Sequence, residues 1–397
     1  MPEYNVVVVG AGPVGLASAL GLAQSGIDVT VLEAQEAITS APRDMVYQWP
    51  VLQGLQRLGV LDDAIRAGLL NDRWCFKVFK SGEQINLNMS VVADSVEHPY
   101  NLHLPHAEMT RVLLSHLEGH SNARVMWGTT VISVLQDDDG ATVTFERSGS
   151  PDELRVGWVV GADGAHSIVR RSLGLGFAGM TWPDRFVSLD LSFDFTALGF
   201  AEASYQVDPD CGAIVSQIDP GGLWRVTYAE SRQLAMGTIS NRIAAALRER
   251  LPEAGDLDID DWAAYRLHER AASRFRVGRS MLVGDAAHVM NPTHAFGLAA
   301  GVCDSFVLTE ALAAVIHGDA AAAVLDRYSD IRRRVFLEYA SPVSAERKGF
   351  VFDSVDPVRL DAEIGSLRHI AADRECQREF FMSVVALESA TALFVPR

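Results

Sequence analysis

Cysteine is scarce. Four occur in 397 residues, Cys75, Cys211, Cys303 and Cys376, far apart and without a CxxC pair. A disulfide framework or a zinc site needs denser, patterned spacing, so these read as free thiols in a reducing compartment. Positive charge is also in deficit: 34 Lys and Arg against 51 Asp and Glu give a formal net charge of −17. Such a surface repels phosphate backbones and anionic lipid, which argues against nucleic-acid or membrane-surface partners. No uninterrupted apolar run reaches the roughly eighteen residues of a spanning helix, so none is expected. The first residues, Met-Pro-Glu-Tyr-Asn, carry no basic segment ahead of an apolar one and no cleavage site, so the chain is expected to be cytoplasmic. Internal repeats, low-complexity tracts and isolating linkers are missing too.

The remaining composition is that of an ordinary globular protein: 48% hydrophobic, 21% charged and 8% aromatic. The length implies two or three structural units burying about three-quarters of the unfolded surface. Asn5 to Val9 is a β-branched run suited to a strand buried on both faces of a parallel sheet. Gly10-x-Gly12-x-x-Gly15, a helix from Leu16 to Gln24 and a second strand from Asp28 to Leu32 complete a βαβ unit. Helical periodicity follows from Pro50 to Leu69 and again from His106 to Leu117. Residues 71–98 alternate like a hairpin around Ser81-Gly82. Val125 to Leu135, Thr142 to Phe145 and Trp158 to Val160 read as strands. Between Phe177 and Ser273 the pattern becomes antiparallel: strands at Phe186 to Phe195, Ala203 to Val207, Ala213 to Gln217 and Trp224 to Tyr228, then a helix at Ile239 to Leu251. A buried strand returns at Ser280 to Val283, before a long helix from Leu298 to Ile316, and the remainder is helical by pattern.

The glycine pattern sits where a dinucleotide fingerprint must be, after a strand and opening a helix. Gly10 permits the tight turn, Gly12 lets backbone N–H groups approach a pyrophosphate, and Gly15 allows close helix–strand packing. Glu33 ends the second strand, where a carboxylate accepts from ribose hydroxyls; an acid there disfavours a 2′-phosphate, so FAD or NAD is expected rather than NADP.

Two further stretches choose between those. Gly161-Ala-Asp163-Gly164-Ala-His-Ser167-Ile-Val169-Arg170 resembles the DGxxSxVR signature of flavin-dependent aromatic hydroxylases, and Met281-Leu-Val-Gly284-Asp285-Ala-Ala-His288 resembles their GDAAH signature. Over residues 3–345 the chain thus resembles the single-component class A flavoprotein monooxygenases, a group that includes p-hydroxybenzoate and hydroxyphenylpropionate hydroxylases. The resemblance implies an α/β fold: a Rossmann-like FAD-binding domain of the GR2 type, an inserted antiparallel-sheet substrate domain and a helical C-terminus. Its divisions are expected at 1–70, 99–176 and 274–345 for the FAD-binding domain, 71–98 for a hairpin lent to the substrate domain, 177–273 for that domain, and 346–397 for the helical end. The thioredoxin-like extension of larger relatives is not expected.

The same resemblance implies non-covalent FAD, contacted by Gly10, Gly12, Pro13, Gly15, Glu33, Ala34, Arg43, His106, Arg111, Val131, Asp163, Gly164, Arg170, Gly284, Asp285, Pro292, Gly297, Leu298 and Ala299, with His106 replacing the family's usual glutamine. NADH or NADPH docks transiently, near Arg43, Asp163 and Arg170, and O₂ is the oxidant, acting through a C4a-hydroperoxyflavin. The substrate is a small electron-rich aromatic, a phenol or a hydroxylated N-heterocycle such as a hydroxypyridine, and the chain is a monomer or homodimer. After GDAAH the family reads Pro-x-x-Gly-Gln-Gly-x-Asn; here the loop runs Pro292-Thr-His294-Ala-Phe296-Gly297-Leu298-Ala299, read with His294 for the glycine, Phe296 for the glutamine and Ala299 for the asparagine. His294 is a candidate for substrate binding or proton transfer, since a histidine titrates near neutrality. Tyr205, Gln217, Arg225 and Tyr228 are candidates for the pocket wall, with Tyr205 and Arg225 joining His294 as catalytic candidates and Arg225 as partner for a substrate carboxylate. Alternation puts Arg225 and Thr227 on one strand face and Trp224, Val226 and Tyr228 on the other, without deciding which faces the flavin. A halogenase- or reductase-type flavoenzyme and a non-enzymatic FAD module are the alternatives; the halogenase Trp-x-Trp-x-Ile-Pro stretch is missing.

Overall fold

The computed structural model describes residues 5–39, 45–389, 391 and 393. The valine run forms the strand Asn5–Val9 at the centre of a six-stranded sheet, flanked in parallel by Asp28–Leu32 on one side and Trp158–Gly161 on the other. Val6 to Val9 are at most 4% exposed. Burial on both faces is what a continuous apolar strand requires. Ser280–Leu282 continues the sheet beyond Trp158–Gly161, and Ala123–Met126 lies outside Asp28–Leu32. The helix Pro13–Gln24 packs against the long helix Phe296–His317, and Gly21 makes room for Thr309. That long helix has the length and apolar content of a membrane span, but 72% of its most apolar window is buried inside the fold as a core helix.

The antiparallel region is an eight-stranded sheet ordered His288–Val289, Ile259–Ala272, Phe177–Ser192, Leu223–Ser231, Ala213–Gln217, Ala203–Val207, Arg73–Val78 and Gln84–Asn88. The expected hairpin supplies its last two strands, with Arg73–Val78 running parallel to Ala203–Val207. One face of the sheet packs on the helix Ser240–Arg250 through Leu189, Val226 and Ile243. The other carries Phe76, Phe186 and Tyr205 toward the C-terminal helices Ser341–Phe352 and Pro357–Ala372.

Four expectations change. The stretch Val125 to Leu135 is two strands, because Gly128 turns at φ +60° between Met126 and Thr129; Thr129–Gln136 joins a separate three-stranded sheet with Ala141–Arg147 and Ser150–Val156. The helical stretch from Pro50 to Leu69 breaks at Gly59 (φ +74°) into Trp49–Arg57 and Leu61–Ala67. The strand expected from Phe186 begins at Phe177, despite Gly179 and Pro183, and its pairing shifts between Thr181 and Arg185. Its neighbour Ile259–Ala272 was not expected at all, since Asp260, Asp261, Arg266, His268 and Arg270 hide the apolar alternation that marks a strand.

Candidate active site

The glycine loop is built as its chemistry demands. Gly10 turns at φ +104°, and a Cβ there would lie 2.4 Å from the Ala162 carbonyl oxygen. A Cβ on Gly15 would lie 2.0 Å from the Gly10 oxygen. Neither position admits a side chain. Gly12 differs: the nearest atoms to its Cβ position belong to the His106 ring, 3.8 Å away. The loop is therefore closed behind Gly10 and Gly15 and open in front of Gly12. Gly12 caps the helix Pro13–Gln24 without a side-chain bond, which leaves the positive helix end facing that opening. Glu33 lies beside it, its two oxygens accepting from the backbone N–H of Ala11 (2.7 Å) and of Gln35 (2.9 Å). Such a cradle fits the pyrophosphate and ribose of an adenine dinucleotide.

The other sequence-assigned cofactor residues distribute unevenly. His106 opens the helix His106–Glu118 and faces Gly12, whereas Arg111 is exposed on the same helix and pairs with Glu108. Ala34 is exposed; Val131 is buried two residues into a strand whose Thr129 N–H donates to the Glu33 carbonyl. Arg43 lies outside the described residues. Asp163 accepts from Ile168 N–H (2.6 Å) and Val169 N–H (3.1 Å) through one oxygen, while its other oxygen is buried without a partner. Burial raises its pKa against the hydrogen bonds. Gly164 follows at φ +74°.

Arg170 corrects an expectation. Its guanidinium is buried, donating to the carbonyls of Ala286 (2.8 Å) and Ala165 (2.7 Å) and stacking 3.7 Å over Phe177. It ties the second signature to the third and is not directed at a nicotinamide. Behind the third signature, Asp304 accepts from Gly284 N–H (3.0 Å), His288 Nε2 (2.7 Å) and Arg332 Nε (2.7 Å), all fully buried. Asp285, at the front of this turn, is exposed.

A cleft opens between the antiparallel sheet and the loop Pro292 to Ala295, ahead of the first turn Phe296-Gly297-Leu298-Ala299 of the long helix. Its largely apolar lining with a few convergent polar groups is that of a small-molecule site. Tyr205 and Arg225 line it, and so does Thr227, so this strand turns its Arg225–Thr227 face to the cleft. Tyr228, on the other face, packs under Arg250, and the Gln217 amide turns to the Asp219 carbonyl; neither lines the cleft. Tyr205 donates to the Thr293 carbonyl (2.7 Å), and burial pushes its pKa up to about 12. Arg225 is held at two points by Asp190, at 2.7 and 2.9 Å. The pair offers a carboxylate ligand little net charge, a correction to the expected role of Arg225. Ser188 hydrogen-bonds to Thr227 (2.8 Å) and Tyr265 (3.2 Å), giving three linked hydroxyls on the wall. The sequence reading missed Trp74, His103, Ser188 and Tyr265. Tyr265 lies on the strand whose pattern was hidden, and Trp74 on the hairpin that was foreseen but not searched.

His294 is the larger correction. Thr293 and Ala295 line the cleft, but the His294 imidazole lines a separate, smaller cavity, where Nδ1 accepts from Arg347 Nε at 3.3 Å. Burial and the adjacent guanidinium hold its pKa well below the ordinary value, so it is neutral at pH 7 and not placed for proton transfer in the cleft. Counted from Pro292, the family's glycine falls on Ala295, not His294, and Ala295 adopts the left-handed φ of +56° that glycine favours.

A family model described as FAD binding domain matches residues 3–340. The 6-hydroxy-3-succinoylpyridine 3-monooxygenase HspB of Pseudomonas putida is 38% identical over 95% of this chain and 96% of its own length. The crystal structure of p-nitrophenol 4-monooxygenase PnpA from Pseudomonas putida superposes with a TM-score of 0.94 at 36% identity, covering 97% of this chain and 98% of that one. A ternary complex of aklavinone-11 hydroxylase with FAD and aklavinone superposes with a TM-score of 0.79 at 26% identity, over 90% of this chain and 71% of that one.

Proposed function

The chain belongs to the FAD binding domain family and is an FAD-dependent aromatic monooxygenase; on that premise we propose that it takes NADH or NADPH and O₂ and hydroxylates a phenol or a hydroxylated pyridine. The balance is ring–H + O₂ + NAD(P)H + H⁺ giving ring–OH + H₂O + NAD(P)⁺. The observation that supports this reading is the presence in one chain of a dinucleotide cradle and of a cleft walled by aromatic and hydroxyl side chains. The chain matches the 6-hydroxy-3-succinoylpyridine and p-nitrophenol monooxygenases along nearly their whole length, which favours neither a regulatory module nor a halogenase.

Bound FAD supplies the electron transfer and oxygen chemistry. The open face at Gly12 and the N-terminus of Pro13–Gln24 would take its pyrophosphate, Glu33 its ribose, and Asp285 its ribityl chain. The protein's own part is to orient and to handle protons. Trp74 and Tyr205 supply flat apolar wall for a ring. The hydroxyls of Ser188, Thr227 and Tyr265 accept from and donate to a ring hydroxyl, and the Arg225–Asp190 pair fixes the strand that carries Thr227.

Purification with added FAD tests the premise: the protein should be yellow and should oxidise NADH or NADPH faster when a hydroxylated ring is supplied. A colourless protein that takes up no FAD ends this reading.

A further inference from the structure

Arg347 lies on the helix Ser341–Phe352, and its guanidinium is surrounded by rings, 4.9 Å from the Phe76 centroid, 5.6 Å from Tyr205 and 5.7 Å from Phe380. One of its N–H groups donates to His294. Among the described residues no carboxylate forms an ion pair with it. Its neighbour in sequence shows the contrast: Lys348 is held between Asp184 (3.0 Å) and Asp353 (2.8 Å). Arg347 is half-buried, and Glu346 and Glu363 act on it only from beyond ion-pair distance; a partly desolvated cation in that setting is costly, and cation–π attraction offsets only part of that cost.

The guanidinium faces the cavity that His294 lines, whose wall also includes Trp49, Trp74 and Phe381. Trp49 Nε1 donates to the Phe381 carbonyl, whereas Trp74 Nε1 is buried with no acceptor. Trp74 lines the larger cleft as well, and so does Tyr205, whose ring Arg347 overlies. An indole N–H without an acceptor and a guanidinium without an ion-pair partner therefore stand on the partition between the ring cleft and a small chamber with aromatic walls.

Resting on the hydroxylase reading above, we infer that this chamber is an anion subsite, in which Arg347 receives a carboxylate borne on a short apolar side chain of the aromatic substrate. The ring occupies the larger cleft, the side chain passes Trp74, and the aromatic walls cover its methylene groups. Trp74 Nε1 donates to the second carboxylate oxygen. A chain with a net charge of −17 attracts no anion from a distance, so recognition has to come from a local cation, and Arg225 is already neutralised by Asp190.

Equilibrium binding to the FAD-loaded enzyme, read from the flavin absorbance, tests this without turnover. The probes are a hydroxyphenylpropionate, its primary amide, and acetate. The wild type should bind the acid about tenfold or more tighter than the amide. Arg347→Gln should erase that preference while leaving amide affinity and FAD content unchanged. Arg347→Lys should keep part of it, and Trp74→Phe should weaken the acid a few-fold. Excess acetate should compete with the acid and not with the amide. Equal binding of acid and amide by the wild type, a preference that survives Arg347→Gln, or acetate binding alongside the acid overturns the subsite. If Arg347→Gln holds no FAD, acid against amide in the wild type and in Arg347→Lys decides. An intact acid preference with no ring hydroxylated would instead contradict the hydroxylase reading, so the two failures are distinct.

Discussion

The phenol of Tyr205 donates to the Thr293 carbonyl over 2.7 Å, so a strand of the antiparallel sheet holds the loop that leads into the long core helix. Tyr205→Phe leaves that carbonyl buried without its donor, at a cost of about 1–3 kcal/mol. The thermal midpoint should fall, FAD should be retained, and substrate affinity should drop several-fold as the loop loses its anchor. With a pKa near 12, Tyr205 contributes no ionisation to the rate between pH 6 and 9. An inflection in that range that vanishes in Tyr205→Phe would contradict the placement.

The same loop carries a strain that a single substitution relieves. Ala295 holds φ +56°, a conformation that costs an ordinary residue about 1–2 kcal/mol and glycine almost nothing. Ala295→Gly should raise the unfolding free energy by up to about 1 kcal/mol once glycine's unfolded-state entropy is subtracted. A destabilised variant in a denaturant titration would contradict the left-handed assignment.

Two neighbouring glycines should separate folding from cofactor binding. Gly15→Ala drives a methyl group to 2.0 Å from the Gly10 oxygen and should cost about 1–3 kcal/mol or more. Gly12→Ala has φ −72° and free space around the added Cβ, so the FAD-free protein should melt as the wild type does. Its affinity for FAD should fall about tenfold or more, because the methyl stands where pyrophosphate approaches. Wild-type FAD affinity in Gly12→Ala would place the cofactor elsewhere.

Asp304 should make stability depend on acid. Burial opposes its ionisation, but His288 and Arg332 outweigh it and lower its pKa below the ordinary carboxylate value. A depressed native pKa contributes stability that is present above the unfolded value, about pH 4, and is lost as the pH falls through the native one. Asp304→Asn leaves Arg332 buried without its counter-charge, at about 3–5 kcal/mol near pH 7. The gap between the thermal midpoints of the two proteins should therefore hold from pH 7 down to about pH 4 and narrow below it. A gap that stays constant would remove Asp304 from the account.

The cradle was legible because a phosphate-binding turn tolerates so few residue types: Gly10, Gly12 and Gly15 follow from crossing, approach and packing, and Glu33 from its place at a strand end. The valine strands were legible for a similar reason, since burial on both faces leaves no polar positions. The cleft was not. Which face of Leu223–Ser231 meets it is decided by the helix Ser240–Arg250 covering the other, a tertiary fact with no local signal. Ile259–Ala272 hid behind charged residues at its exposed positions, and Tyr265 with it. His294 was misplaced because side-chain direction in that loop is set by the left-handed turn at Ala295. Arg347 belongs to a helical segment whose sequence carries no motif; only the fold brings it against Tyr205 and Trp74.

The most direct measurement of the central claim is product analysis under ¹⁸O₂. The FAD-loaded enzyme, supplied with NADH or NADPH and a panel of phenols and hydroxypyridines, should convert one class of ring to a product containing a single ¹⁸O, with one nicotinamide oxidised per product. Nicotinamide oxidation that yields only hydrogen peroxide with every ring, or a product whose new oxygen comes from water, would contradict it.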